Sequence, residues 1–396
     1  MLYTPKEELF NRITKLQILL REKNIDGALI IKSTNLFYFS GTAQNAYLFV
    51  PAEGAPVLLV KKSFSRAKKE SALENIMQLV SLKKIPAQLA ELGCKSPATL
   101  GLEMDSLPAS TYLFFQQIFP GVRFTNVSGL IREIRQIKSE YEINLLRTSA
   151  CNMDKIYRQI PGLIKEGMAE IELAAQIEGM ARTAGHMGYI SMHAFNQSPY
   201  FGHLLSGESG AVPSAFDGPT GGPGLTPAHP QGAGWKNIKA GEPISIDYVG
   251  LWDGYITDQT RIFSIGPLPE KLQKAFNLAL EIQAAVVERM KPGANGSDLH
   301  ELSLAMAAKA GFAENYMGYA PDQARFLGHG VGLELDELPV LAKGLDARLE
   351  PGMVIAIEPK FVFPGKGVVG IENTFVITEQ GAERITVTPD ELVRID

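Results

Sequence analysis

The chain reads as an α/β protein, α+β in its second part, made of two domains. Three observations carry that reading. Its 396 residues exceed the roughly 100–200 that one ordinary domain takes up. Short β-rich runs alternate with amphipathic helical stretches along the whole length. Near residue 130 the texture changes, and a charged, strongly helical segment begins. The expected division is 1–128 for a mixed α/β domain and 129–396 for a larger second domain.

In the first domain, 7–23 places Leu9, Ile13, Leu16 and Leu20 on one helical face. The runs 27–31, 36–39, 46–50 and 56–60 are short and rich in β-formers, and read as strands. The second domain opens on a helix over 131–150, with more helix at 153–162 and 171–184. Residues 206–234 are rich in Gly and Pro, too long for an ordinary connection and too apolar for a disordered linker. Such a loop reads as a wall or lid of a site. A strand pair over 243–265, helices at 272–290 and 297–310, and strands from 332 onwards complete the chain.

Composition excludes several function classes. A formal charge of −5 disfavours nucleic acid and anionic membranes as partners. The basic run Lys61, Lys62, Arg66, Lys68, Lys69 reads as a solvated helix face. Two cysteines, Cys94 and Cys151, make no disulfide framework and suit a reducing compartment. The N-terminal segment lacks the apolar core of a signal peptide, and no window approaches the roughly 18 apolar residues of a membrane span. The expected location is the cytoplasm.

The chemistry concentrates in the last 150 residues or so, on Asp247, Asp258, His329, Glu358 and Glu372. In 243–265 the pair Asp253-Gly254 is a strong two-residue turn signal. A turn there sets Asp247 opposite Thr260, with Asp258 its diagonal neighbour on the same face. In 353–376 the cluster Pro364-Gly365-Lys366-Gly367 is the turn, and a loop centred on Gly365 sets Glu358 directly opposite Glu372. The GxGxxG spelled by 365–370 lies between strands rather than opening a helix, so it is a turn and not a dinucleotide site. His329 has glycines on both sides, which permits close backbone approach and leaves its ring uncrowded. Four carboxylates with one imidazole favour hard or borderline divalent ions: Mn²⁺ first, then Co²⁺, Fe²⁺ or Zn²⁺. Two such ions side by side would activate water and polarise a carbonyl, which points to metal-assisted hydrolysis.

The order Asp, Asp, His, Glu, Glu resembles the dinuclear metallohydrolases of pita-bread fold: methionine aminopeptidase, aminopeptidase P, prolidase and creatinase. The segments IDYVGLWDGYITDQTRIFSIG, GHGVGLELDELP and GMVIAIEPKFVFPGKGVVGIENTFVIT are similar to that family's metal-bearing blocks. RQIKSEYEINLLRTSA resembles the helix that opens its catalytic domain, and NIDGALIIKSTNLFYFSG its creatinase-like N-terminal accessory domain. The resemblance implies a pita-bread catalytic domain holding two divalent ions. Asp247 would chelate one ion, His329 and Glu358 the other, and Asp258 and Glu372 would bridge them. Glu358 would accept the proton of the attacking water. A homodimer acting on a small peptide or other small molecule is likewise implied.

Around the metal residues the chain departs from the peptidase pattern. The family's second histidine falls on Asp336, and the arginine before the last glutamate on Gly370. The histidine ahead of the first aspartate corresponds to Ser214 on one alignment and to His229 on another, with His193 and His203 flanking the loop. Asp336 and His229 are therefore candidate catalytic residues, and Ser214, His203 and Asp336 candidate substrate contacts. The leading expectation is a peptidase of the Xaa-Pro aminopeptidase or prolidase type. The alternatives are a non-peptidase on the same scaffold (a creatinase-like amidinohydrolase, an ectoine-hydrolase-like enzyme or a lyase) and a catalytically dead binding module.

Overall fold

The computed structural model describes residues 2–197 and 200–396, and the chain divides into two compact units, Met1–Arg135 and Gln136–Asp396. The first unit is a six-stranded mixed sheet in the order Asn75–Gln78, Val57–Val60, Ala46–Pro51, Gly27–Ile30, Thr99–Leu102, Arg123–Asn126. Helix Lys6–Glu22 buries Leu9, Ile13, Leu16 and Leu20, the stripe its periodicity requires.

The run 36–39, expected as a strand, lies instead in helix Ser33–Ser40. Periodicity cannot assign four apolar residues, so the ends decide. The buried Glu103 accepts the Ile31 and Lys32 N–H groups at 2.5 and 2.9 Å and the Asn35 amide at 2.6 Å. A carboxylate thus sits at the helix N-terminus, where the peptide dipoles favour it. Gly41, left-handed at φ 75, closes the other end. The single helix expected over 131–150 is two, Ser128–Gln136 and Glu140–Tyr157. Ser139 accepts the Glu142 N–H at 3.3 Å while Glu142 accepts the Ser139 N–H at 3.1 Å, a capping box that starts the second helix afresh. The helix expected over 153–162 is the end of that helix and a 3₁₀ turn, Ile160–Gly162.

The second unit is built from two halves. In one, the sheet Val393–Ile395, Thr260–Ile265, Ile244–Tyr248, Gly202–Ser206 packs on helices Glu140–Tyr157 and Glu170–Thr183 through Met153, Leu173, Ile177, Leu204 and Ile246. In the other, the sheet Glu337–Ala342, Phe326–Gly330, Val354–Ile357, Asn373–Thr378, Gly381–Arg384 packs on helices Glu270–Val287 and Gly296–Lys309 through Phe276, Ile282, Leu299, Ile355 and Phe375. Each sheet hides one apolar face under helices, which leaves the other face for the site. The sheets meet where Thr260 and Glu372 exchange backbone hydrogen bonds, both at 3.4 Å. The side chain of Arg261, 1 % exposed, reinforces the seam by donating to the Thr260 and Glu372 carbonyls at 2.7 and 2.8 Å. Among the described residues no helix is long and apolar enough to cross a membrane.

One histidine secures the segment beside the first acid hairpin. His186 Nδ1 accepts the Gly188 N–H at 2.9 Å, which leaves its proton on Nε2 for the Val249 carbonyl at 3.0 Å. Its ring stacks on Phe201 at 4.4 Å between centroids. Burial holds its pKa down at about 4, below the ordinary 6.5. Between those values the unfolded chain takes up a proton that the folded one refuses, so stability falls as pH falls from 6.5 to 4. The contribution reaches about 3 kcal/mol at most. Denaturant midpoints measured across this range are expected to fall less steeply in His186→Phe than in the natural protein. Equal slopes would contradict this role.

Candidate metal centre

The first acid hairpin forms as its turn chemistry dictates. Asp253 and Gly254 take φ 49 and 90, the left-handed values that a tight hairpin turn requires. The register that follows pairs Trp252 with Tyr255 and Asp247 with Thr260. Tyr157 braces the ladder from the helix side: its hydroxyl lies 3.0 Å from both the Ile246 and Gln259 carbonyls and accepts the Tyr248 N–H at 3.2 Å. Asp258 sits between short strands, its backbone N–H donated to Thr374 Oγ1 at 2.9 Å on the opposing sheet.

In the second hairpin Ile357 pairs with Asn373 and Lys360 with Gly370, so Glu358 and Glu372 occupy facing positions between the two ladders. His329 lies on the strand Phe326–Gly330, between partners on both sides. Its flanking glycines answer a packing constraint. A Cβ at Gly328 would come within 2.2 Å of the Ala356 carbonyl, and one at Gly330 within 2.1 Å of the Leu338 carbonyl. His329 Nδ1 donates to the Gly330 carbonyl at 3.2 Å, which leaves Nε2 facing Glu358 Oε1 at 3.6 Å.

Asp258, His329 and Glu372 offer ligand atoms that all lie within 4.8 Å of one another. Asp258 Oδ1 is buried without a hydrogen-bond partner. A buried, unpaired carboxylate oxygen beside an imidazole nitrogen and a second carboxylate fits a divalent cation.

The residue that sequence reasoning missed is Lys360. Its Nζ donates to Asp247 Oδ2, Glu358 Oε2 and Glu372 Oε2, each at 2.8 Å, and the side chain is 2 % exposed. The signal was present: Lys360 is a lone charge in an apolar strand, two positions after Glu358 and so on the same face.

Charge in the cluster is unevenly compensated. Burial raises the Asp247 and Glu358 carboxyls, but the Lys360 ammonium outweighs it and holds both below their ordinary values. Burial and the charge of Asp247 push Asp258 up to about 7. Burial and the charge of Asp258 push Glu372 well up, although Lys360 touches it, because one ammonium is shared among three carboxylates. Burial works against protonation of His329, but Glu358 and Asp258 prevail and raise it to about 9. The half of the cluster that Lys360 leaves short of positive charge is thus Asp258, Glu372 and His329.

The other candidates are placed as follows. His203 pairs in register with Asp247 on the neighbouring strand. Burial lowers its pKa, opposed by the charge of Asp247, and Gln231 lies beside it. His229, exposed, reaches Gln231 Nε2 at 3.1 Å. Ser214 accepts the Phe216 N–H at 3.2 Å within its own turn, and the Phe216 ring meets His203 edge-on at 6.4 Å. The loop carrying these residues is fastened at both ends by the fully buried Glu170, which accepts the Ser206 N–H at 2.6 Å and the Gly234 N–H at 3.1 Å. Asp336, expected as a base or substrate clamp, makes backbone contacts in this structure. Its two oxygens accept the His193 and Ala194 N–H groups at 2.6 and 2.8 Å, stapling that segment.

Two sheets facing across a seam of buried carboxylates and one imidazole define a metal-dependent hydrolase. Comparison with known proteins specifies which. The model of metallopeptidase family M24 matches residues 144–379, and that of the creatinase/prolidase N-terminal domain matches residues 12–137. The chain belongs to metallopeptidase family M24, with the N-terminal domain of its prolidase branch. It is 32% identical to the Xaa-Pro dipeptidase of Pyrococcus horikoshii over 98% of this chain and all of that one. It is 30% identical to the Xaa-Pro dipeptidase of Pyrococcus furiosus over 96% of this chain and 99% of that one. Among solved structures, the Xaa-Pro dipeptidase of Bacillus anthracis superimposes with a TM-score of 0.84 at 27% identity, covering 98% of this chain and 100% of that one. The Pyrococcus horikoshii prolidase gives 0.81 at 29%, covering 97% and 100%. Membership of this family implies divalent metal ions.

Two outcomes follow. Metal binding must displace protons from Asp258 and His329, so Mn²⁺ affinity is expected to rise with pH between about 6 and 9, with proton uptake by the buffer in calorimetry. Affinity independent of pH in that range would contradict the assignment of these ligands. Asp258→Ala is expected to abolish both metal retention and hydrolysis, and near-natural values of either would place the site elsewhere.

Proposed function

We propose that this chain is a metal-dependent Xaa-Pro peptidase of the prolidase type, cutting the bond next to proline in small peptides. The observation that carries the proposal is the converged cluster Asp258, His329, Glu358 and Glu372, in a chain aligned end to end with Xaa-Pro dipeptidases. When bound there, a divalent ion would acidify water and polarise a carbonyl. Of the chain's own groups, Glu358 holds its Oε1 toward His329 Nε2 and is the acceptor for the proton of the attacking water. His203, kept neutral by burial, stands over Asp247 and can hydrogen-bond a substrate. The loop pinned by Glu170 and the segment stapled by Asp336 form walls that hold a substrate and keep water out.

The two departures from the peptidase pattern, Asp336 and Gly370, have local structural reasons. Asp336 fixes a loop, and Gly370 clears space opposite Lys360. Neither calls for a non-peptide substrate. We further infer Mn²⁺ as the working ion from the oxygen-rich donor set. The unpaired Cys94 and Cys151 support a cytoplasmic location. The homodimer rests on the resemblance to the prolidase branch.

A panel of dipeptides tests the activity. With Mn²⁺ present, Xaa-Pro substrates are expected to exceed the same dipeptides with Ala in place of Pro by about tenfold or more in kcat/KM, about 1.4 kcal/mol in the transition state. Chelation should remove the activity and Mn²⁺ restore it. Metal-loaded protein that turns over no Xaa-Pro substrate would refute the proposal.

A further inference from the structure

We infer that the Lys360 ammonium is a built-in cation standing in for one of the two divalent ions of the dinuclear arrangement, so that this chain carries a single ion, on Asp258, His329, Glu358 and Glu372. The inference rests on reading the cluster as a divalent-ion site, and the measurements below separate the two.

Three observations carry it. First, Lys360 takes two of the three carboxylates that the displaced ion would need, Asp247 and Glu372. In the dinuclear arrangement Asp247 serves one ion alone and Glu372 bridges. Both give an oxygen to Lys360 Nζ at 2.8 Å, as does Glu358. An ammonium has three N–H bonds, and here each has one carboxylate, so the group is fully satisfied where it stands. A divalent ion on the same oxygens would lie against a fixed positive charge.

Second, the strand opposite is shaped for this lysine. Gly370 is the cross-strand partner of Lys360. A Cβ there would come within 2.7 Å of both Lys360 Cα and Cγ, and within 2.6 Å of the Pro359 carbonyl. The inward course of the lysine stem therefore depends on a residue without a side chain. The glycine where the family pattern has arginine, and the lysine two positions after the first glutamate, form one unit.

Third, what remains is a complete site for one ion. Asp258, His329 and Glu372 keep ligand atoms within 4.8 Å of one another, and Asp258 Oδ1, buried, has no other partner. Glu358 Oε1 lies 3.6 Å from His329 Nε2, on the side away from the oxygen it gives to Lys360. Oxygen and nitrogen donors of this number and kind are enough for one Mn²⁺, Co²⁺ or Zn²⁺.

The test is metal content of the full-length protein after saturation with Mn²⁺, by mass spectrometry and by electron paramagnetic resonance. The expected result is one ion per chain with the hyperfine pattern of an isolated Mn²⁺. Lys360→Gly is expected to double the content and to produce an exchange-coupled pair. Asp247→Asn, which removes a carboxylate that Lys360 holds and that only the displaced ion would need, is expected to keep one ion per chain. If Lys360→Gly does not fold, the natural protein and Asp247→Asn decide the matter. Two coupled ions in the natural protein, a single ion in folded Lys360→Gly, or loss of an ion in Asp247→Asn would each overturn the inference while leaving a metal site. No ion in any of the three proteins would overturn the metal-site reading itself.

Discussion

Four carboxylates share one seam between two sheets, and everything around them answers their mutual repulsion. Two unit charges about 4 Å apart repel by about 4 kcal/mol even at an effective dielectric of 20. Several such pairs would exceed the roughly 5–15 kcal/mol by which a protein is stable. The fold tolerates the cluster because positive charge is delivered to it. Lys360 reaches three of the four acids and His329 leans on Glu358. The part left short of positive charge, Asp258 and Glu372 with His329, is where a metal cation is needed. Metal affinity and the cost of burying acids are thus two views of one electrostatic imbalance.

Positioning these groups takes rigid elements rather than loops. Asp247 and His203 are cross-strand partners, His329 is locked between two strands, and the Thr260–Glu372 bridge ties the sheets together at the cluster itself. Two loops of the same unit are fastened as well. Glu170 closes the ends of the Gly- and Pro-rich segment, and Asp336 holds His193 and Ala194. A stiff acid centre suits an enzyme that must place one small peptide against one activated water.

Much of the site was legible in the sequence because turn chemistry sets strand register. Asp253-Gly254 fixed the Asp247–Thr260 pair, and the turn about Gly365 fixed the facing positions of Glu358 and Glu372. The glycines around His329 announced a close backbone approach, which the Ala356 and Leu338 carbonyls make. What stayed hidden depended on long-range partners. Residues 36–39 became helix because Glu103, some 70 residues away, holds the N-terminus of that helix. Asp336 became a staple because a loop more than 140 residues earlier offered two N–H groups. Lys360 was hidden differently. Its alternation with Glu358 was visible, but a lysine in a strand is ordinarily read as solvent-facing, and only the bare Gly370 opposite shows that it turns inward.

On the inference drawn above, Lys360 and a single metal ion divide this cluster between them. Anomalous diffraction at the manganese edge, from crystals grown in excess Mn²⁺, tests it most directly. A single anomalous peak between Asp258, His329 and Glu372 is expected, with Lys360 Nζ still hydrogen-bonded to Asp247. Two peaks, with the Lys360 side chain displaced from the carboxylates, would contradict it.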